Sequence, residues 1–342
     1  TGLVERRGPE AHGVNWTKWH GVAMSEPRLS ICIVNWNTRD LLRNCLQSIY
    51  EDSESGQWEV IVVDNASTDD SAAMVRASFP LVRLLPCEEN RGFVGGNNWA
   101  LEKARGRYWL LLNSDTQVEC GALGTLVDFM DATPDAGAVG PKLLNADGSL
   151  QLSCGIAPTF YSEIANKLLL HKLFPFFKLG AWDHAQTREV GWVTGACLLV
   201  RRSTANQVGL LDPAIFMFYE DLEWCLRIRK GGWKVFYHAF SRVLHLGGQS
   251  TRQNFGQMLV ISHQSLFYWY SKHFSGLEIV VLRLLTPVEM LLRSLVWGLF
   301  YCSSPSRRDE ARQRLWAYRE IVARILFHRS QHGNANPSQE VR

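Results

Sequence analysis

The first regular element that the sequence predicts is the apolar run Leu29-Ser30-Ile31-Cys32-Ile33-Val34, which a helical pattern from Asp40 to Tyr50 follows. The same alternation of a short apolar run and a helical pattern recurs along the first half of the chain. Uninterrupted apolar runs are typical of parallel strands buried on both faces, and helices between them are typical of βαβ crossovers. The sequence therefore predicts an α/β fold with a mainly parallel sheet flanked by helices. The predicted strands lie at 29–34, 60–63, 81–85, 108–112, 136–143 and 196–200, and the predicted helices at 40–50, 71–79 and 97–104.

The composition excludes several classes of protein. Of the 342 residues, 46% are hydrophobic and 20% are charged, and the formal net charge is only +3. These values are typical of neither a disordered chain nor a strongly basic nucleic-acid-binding protein, so we expect no nucleic-acid partner. The eight cysteines form no Cys-x-x-Cys pair, which argues against a zinc ribbon or a disulfide scaffold and favours a reducing compartment. The first 28 residues contain no apolar block resembling a signal peptide, and we interpret them as a flexible lead.

Polar segments follow three of the predicted strands at their carboxyl ends. They are Asn35-Trp36-Asn37, 64–69 and Asn113-Ser114-Asp115. Because the ligands of parallel α/β sheets bind beyond the carboxyl ends of the strands, these segments are candidates for a binding site. The Asp64 carboxylate can accept a hydrogen bond from a nucleotide base or a ribose hydroxyl group, although the same turn can equally serve as a helix cap.

Asp115 and a glycine-rich segment are the candidates for contacts with a diphosphate. A divalent cation needs only one or two protein carboxylates when a diphosphate supplies the remaining oxygen ligands, so Asp115 alone can hold one. The segment Asn90-Arg91-Gly92-Phe93-Val94-Gly95-Gly96 lacks the lysine of a P-loop and the spacing of a dinucleotide fingerprint. Its backbone can still approach an anion closely, with Arg91 as a partner, or it can be a plain flexible turn.

A cluster of acids offers a general base. Glu220, Asp221 and Glu223 lie beside aromatic residues at the start of a predicted helix that ends near Gly231. Crowded carboxylates next to aromatic rings can acquire the raised pKa of a general base, although acids in a first helical turn also complement the helix dipole. His245 follows a short predicted strand and precedes two glycines, and by itself it fits a structural histidine as well as a ligand.

Taken together, these segments resemble glycosyltransferase family 2, whose members are inverting sugar transferases with the GT-A fold. The resemblance is greatest to the rhamnosyltransferase-like branch, and it extends from about Leu29 to Gly248. Each motif is weak alone, but their co-occurrence in the order of the family is specific. The motifs that carry the resemblance are 33–37, 63–69, 90–93, 112–115, 140–143, 195–202, 218–223 and His245.

The resemblance implies a role for each of these positions. Asp221 matches the catalytic base, and Asp115 matches the last acid of the Asp-x-Asp metal motif, with His245 as a second contact to the metal or the diphosphate. The implied cofactor is a divalent metal, Mg²⁺ or Mn²⁺. Asn113 replaces the first acid of that motif, which predicts a modest metal affinity. The implied nucleotide-binding residues are Asn35, Trp36, Asn37, Asp64, Asn65, Arg91, Gly92 and Ser114, and the residues placed near the donor sugar or the acceptor are Trp192, Gly195, Glu220 and Glu223.

The region from Gly276 to Cys302 is strongly apolar, and it contains a proline, Pro287, that we expect to kink it. At about 100° per residue, its four charged side chains lie within an arc of about 140°. A broad apolar face next to an arginine-rich helix (307–329) is typical of a helix that lies in a membrane interface. Its longest uncharged stretch is too short to span a bilayer. The alternative is a packing face against the catalytic domain or a partner subunit.

We therefore predict an inverting glycosyltransferase that moves a rhamnose-like deoxyhexose from a dTDP- or UDP-linked donor to a glycan or a lipid-linked saccharide in cell-surface polysaccharide synthesis. We expect it in the cytoplasm, peripheral on the inner face of the cell membrane, and homo-oligomerisation is left open. The alternatives are a sugar nucleotidyltransferase, whose basic triphosphate loop is missing at 35–38, and a non-catalytic protein that keeps the fold. The predicted organisation is a lead (1–28), a GT-A domain (29–250), a helical, membrane-associating extension (251–330) and a flexible tail (331–342).

Overall fold

The computed structural model describes residues 26–52, 58–170, 182–248 and 254–327. Most of the predicted lead and all of the predicted tail lie outside these residues. All eight cysteines lie within them, and all eight are free.

A ten-stranded sheet forms the centre of the described chain. Its main path has the strand order β3-β2-β1-β4-β11-β6-β12-β5, with β7 beside β6 and β9 beside β12, and a separate pair joins β8 to β10. The strands are β1 (Leu29–Asn35), β2 (Trp58–Asp64), β3 (Arg83–Pro86), β4 (Tyr108–Asn113), β5 (Thr116–Val118), β6 (Ala136–Leu144), β7 (Leu150–Gln151), β8 (Cys154–Gly155), β9 (Arg188–Glu189), β10 (Trp192–Val193), β11 (Cys197–Arg201) and β12 (Lys234–His245).

The sheet is parallel on one side and mixed on the other. β1 pairs in parallel with β2 and β4, and β2 pairs in parallel with β3. β11 runs antiparallel to both of its neighbours, β4 and β6, whereas β12 is parallel to β6. All seven residues of β2 are buried, which explains the apolar run at its centre, residues 60–63. The predicted α/β fold with a mainly parallel sheet is confirmed.

Helices cover both faces of this sheet. They are α1 (Arg39–Tyr50), α2 (Ser71–Ser78), α3 (Gly92–Lys103), α4 (Ala122–Ala132), α5 (Phe160–Lys167), α6 (Arg202–Val208), α7 (Glu220–Lys230), α8 (Phe255–His273), α9 (Gly276–Ser303) and α10 (Arg308–Phe327). Ile31 and Ile33 of β1 pack into a core shared with α1, α2 and α4, whereas Cys32 faces a second core shared with α3 and α7. The alternation of side chains along β1 therefore joins the two cores through one strand.

The helix predicted to begin at Asn97 begins at Gly92, so most of the glycine-rich segment is helical and the interpretation as a plain loop was wrong. Gly96 lies against β1, where a Cβ atom would come within 2.9 Å of both γ-methyl groups of Val34. Gly92 has a φ angle of +72°, and a Cβ atom there would lie 2.6 Å from the Phe216 carbonyl oxygen. These glycines therefore allow close packing and a sharp helix start, not chain flexibility.

Three long helices, α8 to α10, occupy the region of the predicted extension. Trp269 and Tyr270 of α8 and Leu282 of α9 share a buried cluster with Leu222 of α7, which joins these helices to the α/β body. The helix α9 continues through Pro287 without ending there. No helix of the described residues combines the length and the apolarity that a membrane span requires.

Candidate active site

A cavity of about 610 Å³ lies beyond the carboxyl ends of β1, β2 and β4. Its walls come from segments that are far apart in the sequence and that the parallel strands bring to one edge of the sheet. The predicted site residues that line it are Trp36, Asn65, Gly92, Ser114, Asp115, Trp192, Gly195, Glu220, Asp221 and His245. Those that do not line it are Asn35, Asn37, Asp64, Arg91 and Glu223.

Asn65 fixes one wall of the cavity. Its amide nitrogen donates hydrogen bonds to Asn90 Oδ1 at 2.8 Å and to the Gly92 carbonyl oxygen at 3.1 Å, and its amide oxygen accepts from the Arg91 backbone N–H at 2.9 Å. The residue that follows β2 thus fastens the start of α3 against the sheet. Sequence reasoning placed Asn65 at the nucleotide and did not detect this positioning role.

Asp64 ends β2 next to the cavity-lining Asn65 and does not itself line the cavity. It is 4% exposed, and its carboxylate accepts hydrogen bonds from Asn35 Nδ2 at 3.3 Å and from the Ser67 backbone N–H at 3.4 Å. Asn35 is fully buried and also accepts from the Thr38 hydroxyl at 2.6 Å. Thr38 in turn is 2.9 Å from the Ser114 hydroxyl, so a chain of hydrogen bonds links Asp64 to a residue that lines the cavity.

Asn37 and Arg91 point elsewhere. The Asn37 side chain accepts from the Thr68 backbone N–H at 2.7 Å, and its backbone has a positive φ angle of 51°, as expected for a tight turn. The Arg91 guanidinium lies over the Trp99 ring at 5.2 Å from its centroid. These contacts support the loops that carry the cavity wall, and the contact of both residues with the nucleotide stays a prediction.

Asp115, Asn113 and His245 meet at the sheet edge. His245 Nε2 lies 3.2 Å from Asp115 Oδ1 and 3.2 Å from Asn113 Nδ2. The antiparallel pairing of β5 with β12 brings His245 opposite Thr116, next to the end of β4. A carboxylate oxygen and an imidazole nitrogen therefore converge on one point of the cavity wall.

Gln151 holds the His245 ring in the orientation that a metal ligand requires. Its Oε1 lies 2.6 Å from His245 Nδ1, and its Nε2 donates to Asn145 Oδ1 at 2.9 Å, so the oxygen must face the ring. Gln151 thus orients the ring so that Nε2 faces Asp115 Oδ1 and Asn113 Nδ2. Among the described residues, no group of three or more His, Cys, Asp or Glu could hold a metal ion, so a cation here would take its remaining ligands from a substrate.

A strained turn presents the acids at the start of α7. Phe218 and Tyr219 have consecutive positive φ angles, 70° and 65°. Such conformations cost about 1–3 kcal/mol each for residues other than glycine, and they persist where the surrounding structure enforces them. Here they turn the chain so that both Glu220 and Asp221 line the cavity.

Asp221 is held by backbone donors on both of its carboxylate oxygens. Oδ2 accepts from the Gly195 N–H at 2.9 Å, and Oδ1 accepts from the Leu222 N–H at 2.7 Å. Burial raises the pKa of Asp221 above its usual value, and these two N–H groups together with the Thr194 hydroxyl partly offset that rise. A carboxylate has about four acceptor positions, so these three donors leave room for it to accept a proton from a group in the cavity.

Glu220 differs from Asp221 in having an oxygen without a partner. The side chain is 6% exposed, and Oε2 has no hydrogen-bond partner among the described residues. Burial raises the pKa of Glu220 well above its usual value, and the neighbouring Asp221 charge adds to the rise. The arrangement favours a neutral carboxyl group that can donate a hydrogen bond into the cavity.

Glu223 does not line the cavity, unlike its neighbours Glu220 and Asp221. It is completely buried, and it forms ion pairs with Arg227 at 2.8 Å and Lys272 at 2.6 Å. The Arg227 guanidinium also donates to the carbonyl oxygens of Val208 and Leu210. Glu223 therefore joins α7 to α8 and to the turn after α6.

The sequence motifs did not predict the side of the cavity that α5 and α8 form. Its polar residues are Glu163 and Asn166 of α5 and Ser262 of α8. The Glu163 carboxylate accepts hydrogen bonds from the Tyr270 hydroxyl and from Asn166 Nδ2. No periodicity or motif marks these residues, because α5 lies in the irregular stretch between β8 and β9 and α8 lies beyond the motifs.

Comparisons with known proteins agree with this geometry. Residues 30–178 match the model of the family described as glycosyl transferase family 2. The chain is 31% identical over 254 residues to an N-acetylglucosaminyl-diphospho-decaprenol L-rhamnosyltransferase of Mycobacterium tuberculosis. The aligned region covers 69% of this chain and 81% of that relative. It is 27% identical over 208 residues to a low-salt glycan biosynthesis hexosyltransferase of Haloferax volcanii, covering 59% of this chain and 62% of that one.

A solved structure shows the same fold at low sequence identity. A mannosyltransferase from Pyrobaculum calidifontis, in complex with GDP-Man and Mn²⁺, is similar with a TM-score of 0.54 and 19% identity. The similarity covers 89% of this chain and 88% of that one, so it extends beyond the residues that the family model matches.

Proposed function

Because the chain belongs to glycosyltransferase family 2, and is therefore an enzyme of glycosyl transfer in polysaccharide synthesis, we propose that its donor is a nucleotide-diphosphate sugar and that it inverts the anomeric centre. The sugar that we propose is a rhamnose-like deoxyhexose, linked to dTDP or UDP. The acceptor is a hydroxyl group of a glycan or a lipid-linked saccharide. The name of the Mycobacterium tuberculosis relative, which combines L-rhamnose with a decaprenol-linked saccharide, supports both choices.

The observation that carries the proposal is the convergence of Asp221 with Asp115 and His245 on one cavity. In a single displacement, the acceptor oxygen attacks the anomeric carbon while the bond from that carbon to the diphosphate oxygen breaks. Asp221 accepts the proton of the attacking hydroxyl group, which typically contributes about 10²–10⁴-fold to the rate. Such a displacement inverts the anomeric centre and requires no covalent bond to the protein.

Asp115 and His245 fit a divalent metal. A carboxylate oxygen and an oriented imidazole nitrogen are both ligands of Mn²⁺, and Mg²⁺ is commonly held by one or two carboxylates together with substrate phosphates. When bound, the ion would neutralise negative charge on the leaving diphosphate. The manganese in the Pyrobaculum calidifontis mannosyltransferase structure supports a metal of this class. Asn113 supplies a neutral amide where a second acid would strengthen binding, so we expect a modest metal affinity.

A transfer assay tests the proposed function. The full chain is incubated with dTDP-, UDP- and GDP-linked sugars and a soluble saccharide acceptor, with and without Mn²⁺. Formation of a product with the opposite anomeric configuration to the donor, stimulated by the metal, is expected with a dTDP- or UDP-linked deoxyhexose. A product that retains the donor configuration, or transfer that ignores the metal, would overturn the corresponding part of the proposal.

We propose that Asp64 accepts a hydrogen bond from the nucleoside of the donor. Asp64→Ala should therefore weaken donor binding by about 5–150-fold, which corresponds to the loss of a buried hydrogen bond of about 1–3 kcal/mol. The change removes this acceptor, and calorimetry of donor binding measures the effect. Asp69→Ala is the matched control, because Asp69 caps the same turn through the Arg39 and Ser71 backbone N–H groups. An unchanged dissociation constant for Asp64→Ala would assign Asp64 to turn stabilisation alone.

We place Trp192, Gly195 and Glu220 around the donor sugar and the acceptor, since all three line the cavity together with Asp221. Glu220→Ala should lower kcat/KM by about 5–150-fold, because a substrate hydroxyl group would lose its partner. Glu220→Gln should stay within a few-fold of the native enzyme, since glutamine has the shape and the donor capacity of a neutral glutamic acid. If glutamine is as damaging as alanine, Glu220 acts as a charged group.

A further inference from the structure

Helix α9 has its charged side turned inward. Glu289 is 6% exposed and forms ion pairs with Lys167 of α5 at 3.4 Å and with Arg293 at 2.9 Å. Lys167 is itself only 2% exposed, and its ammonium group lies over the rings of Phe267 and Tyr270 of α8. A buried, fully paired charge cluster therefore attaches α9 to α5 and α8.

The opposite side of α9 is aliphatic and exposed. Leu277, Leu284, Leu291, Leu295 and Leu299 are 60–76% exposed. These leucines span 22 helical steps, or about 33 Å at 1.5 Å per residue. Val280, Val288, Leu292 and Val296, which are 36–50% exposed, widen the stripe. Soluble proteins rarely leave a contiguous apolar surface of this extent uncovered, so the stripe marks a contact surface.

The charges around the stripe indicate which partner covers it. Arg283 is the exposed charged residue of α9, Arg307 is exposed just before α10, and Arg308 and Arg312 are exposed at its start. An exposed acid, Asp309, lies among these arginines. Two acids of α10 are engaged by arginines of the same helix, Glu310 by Arg314 and Glu320 by Arg324. A purely aliphatic stripe beside arginines complements the acyl chains and anionic headgroups of a bilayer, whereas protein interfaces are enriched in aromatic residues.

We infer that the α9 stripe docks the enzyme on an anionic lipid surface, with α9 lying in the plane of the interface. This inference rests on the proposed function in one respect, because a lipid-linked acceptor presents its saccharide at that surface. Helix α5 lies between the α9 stripe and the cavity, since its Lys167 pairs with Glu289 of α9 while its Glu163 and Asn166 line the cavity. Docking would thus place the α5 side of the cavity next to the lipid surface.

Co-sedimentation of the full chain with vesicles tests the inference. Vesicles of equal parts phosphatidylglycerol and phosphatidylcholine should retain the native protein, and vesicles of phosphatidylcholine alone should retain less. Salt should weaken the association without abolishing it, because screening acts on the arginines and not on the apolar contact. The double variant Leu291→Glu, Leu295→Glu should bind the anionic vesicles at least tenfold more weakly. Leu81→Glu, at an exposed leucine on the turn before β3, is the matched control and should bind like the native chain.

Two further measurements separate the outcomes. Transfer to a soluble acceptor should be unchanged in the double variant, so a protein that binds vesicles but transfers no sugar contradicts the proposed function and not the docking surface. Vesicle binding that survives both glutamates overturns the inference. A native chain that stays in the supernatant also overturns it. In that case, light scattering that shows a dimer for the native chain and not for the double variant would assign the stripe to a contact with a second copy, and a monomer would assign it to a contact within the chain.

Discussion

Asp221→Asn is expected to lower turnover by at least about 10²-fold while leaving donor binding within a few-fold of the native value. Asparagine keeps the shape of the side chain and one of the two oxygens that accept the Gly195 and Leu222 N–H groups, but it cannot accept the proton of the acceptor hydroxyl group. Single-turnover kinetics and calorimetry of donor binding measure the two quantities separately. A normal turnover would exclude Asp221 as the base.

Two neighbouring acids, Glu220 and Glu223, provide control variants for Asp221→Asn. Glu220→Gln should leave turnover nearly unchanged, because that carboxyl group is expected to act in its neutral form. Glu223→Gln should affect stability more than turnover, since it breaks a buried ion pair with Arg227 and Lys272 away from the cavity. If Glu223→Gln lowers turnover further than Asp221→Asn in a protein that stays folded, the base has been assigned to the wrong acid.

The pH dependence of kcat/KM follows from the same site. Burial raises the pKa of Asp221 above the ordinary value of 3.8. The carboxylate is the active form of a base, so kcat/KM should fall as the pH falls through this raised pKa, and the midpoint of the acid limb should lie above 3.8. In Asp221→Asn, the residual activity should no longer show that limb.

Asp115→Ala should abolish the stimulation of transfer by Mg²⁺ or Mn²⁺ while the protein stays folded. Asp115 supplies the carboxylate of the proposed metal site, and the remaining His245 and Asn113 carry no negative charge to attract a cation unaided. A titration of transfer rate against metal concentration measures the effect, and thermal unfolding checks the fold. Full activity of the variant across the titration would exclude Asp115 as a metal ligand.

Gln151→Leu should weaken the metal dependence less than Asp115→Ala does. It leaves both proposed ligands in place and removes the acceptor that orients the His245 ring at 2.6 Å. Partners of this kind typically affect metal affinity by about 10–100-fold. The metal titration should therefore shift to higher concentration while the maximal rate is kept, in contrast to the loss of stimulation in Asp115→Ala.

The positions of Asp115, His245 and Asn65 in the cavity could be predicted because each one follows, or ends, a strand of the sheet. A strand fixes where its last residue lies, and the edge of a parallel sheet collects those ends in one place. Asp64 and Asn35 also end strands, but neither lines the cavity, whereas their neighbours Asn65 and Val34 do. Successive side chains along a strand point to opposite faces, so the exact end of each strand, which the sequence does not give, determines which of two neighbours faces the cavity.

The sequence by itself determined the alternation of buried strands and helices and the identity of the family motifs, because both are local: burial on two faces requires apolar runs, and a motif is a set of neighbours. Only the tertiary structure decided that Glu220 and Asp221 of α7 face the cavity and that Glu223 does not. Glu223 lies about 200° around the helix from Asp221, and only the packing of α8 determines which of these two sides is covered. For α9, the sequence indicated one charged and one apolar side, and the buried partner Lys167 on α5 decided that the charged side faces inward. Periodicity defines the sides of a helix, whereas the elements packed against it determine which side meets the solvent.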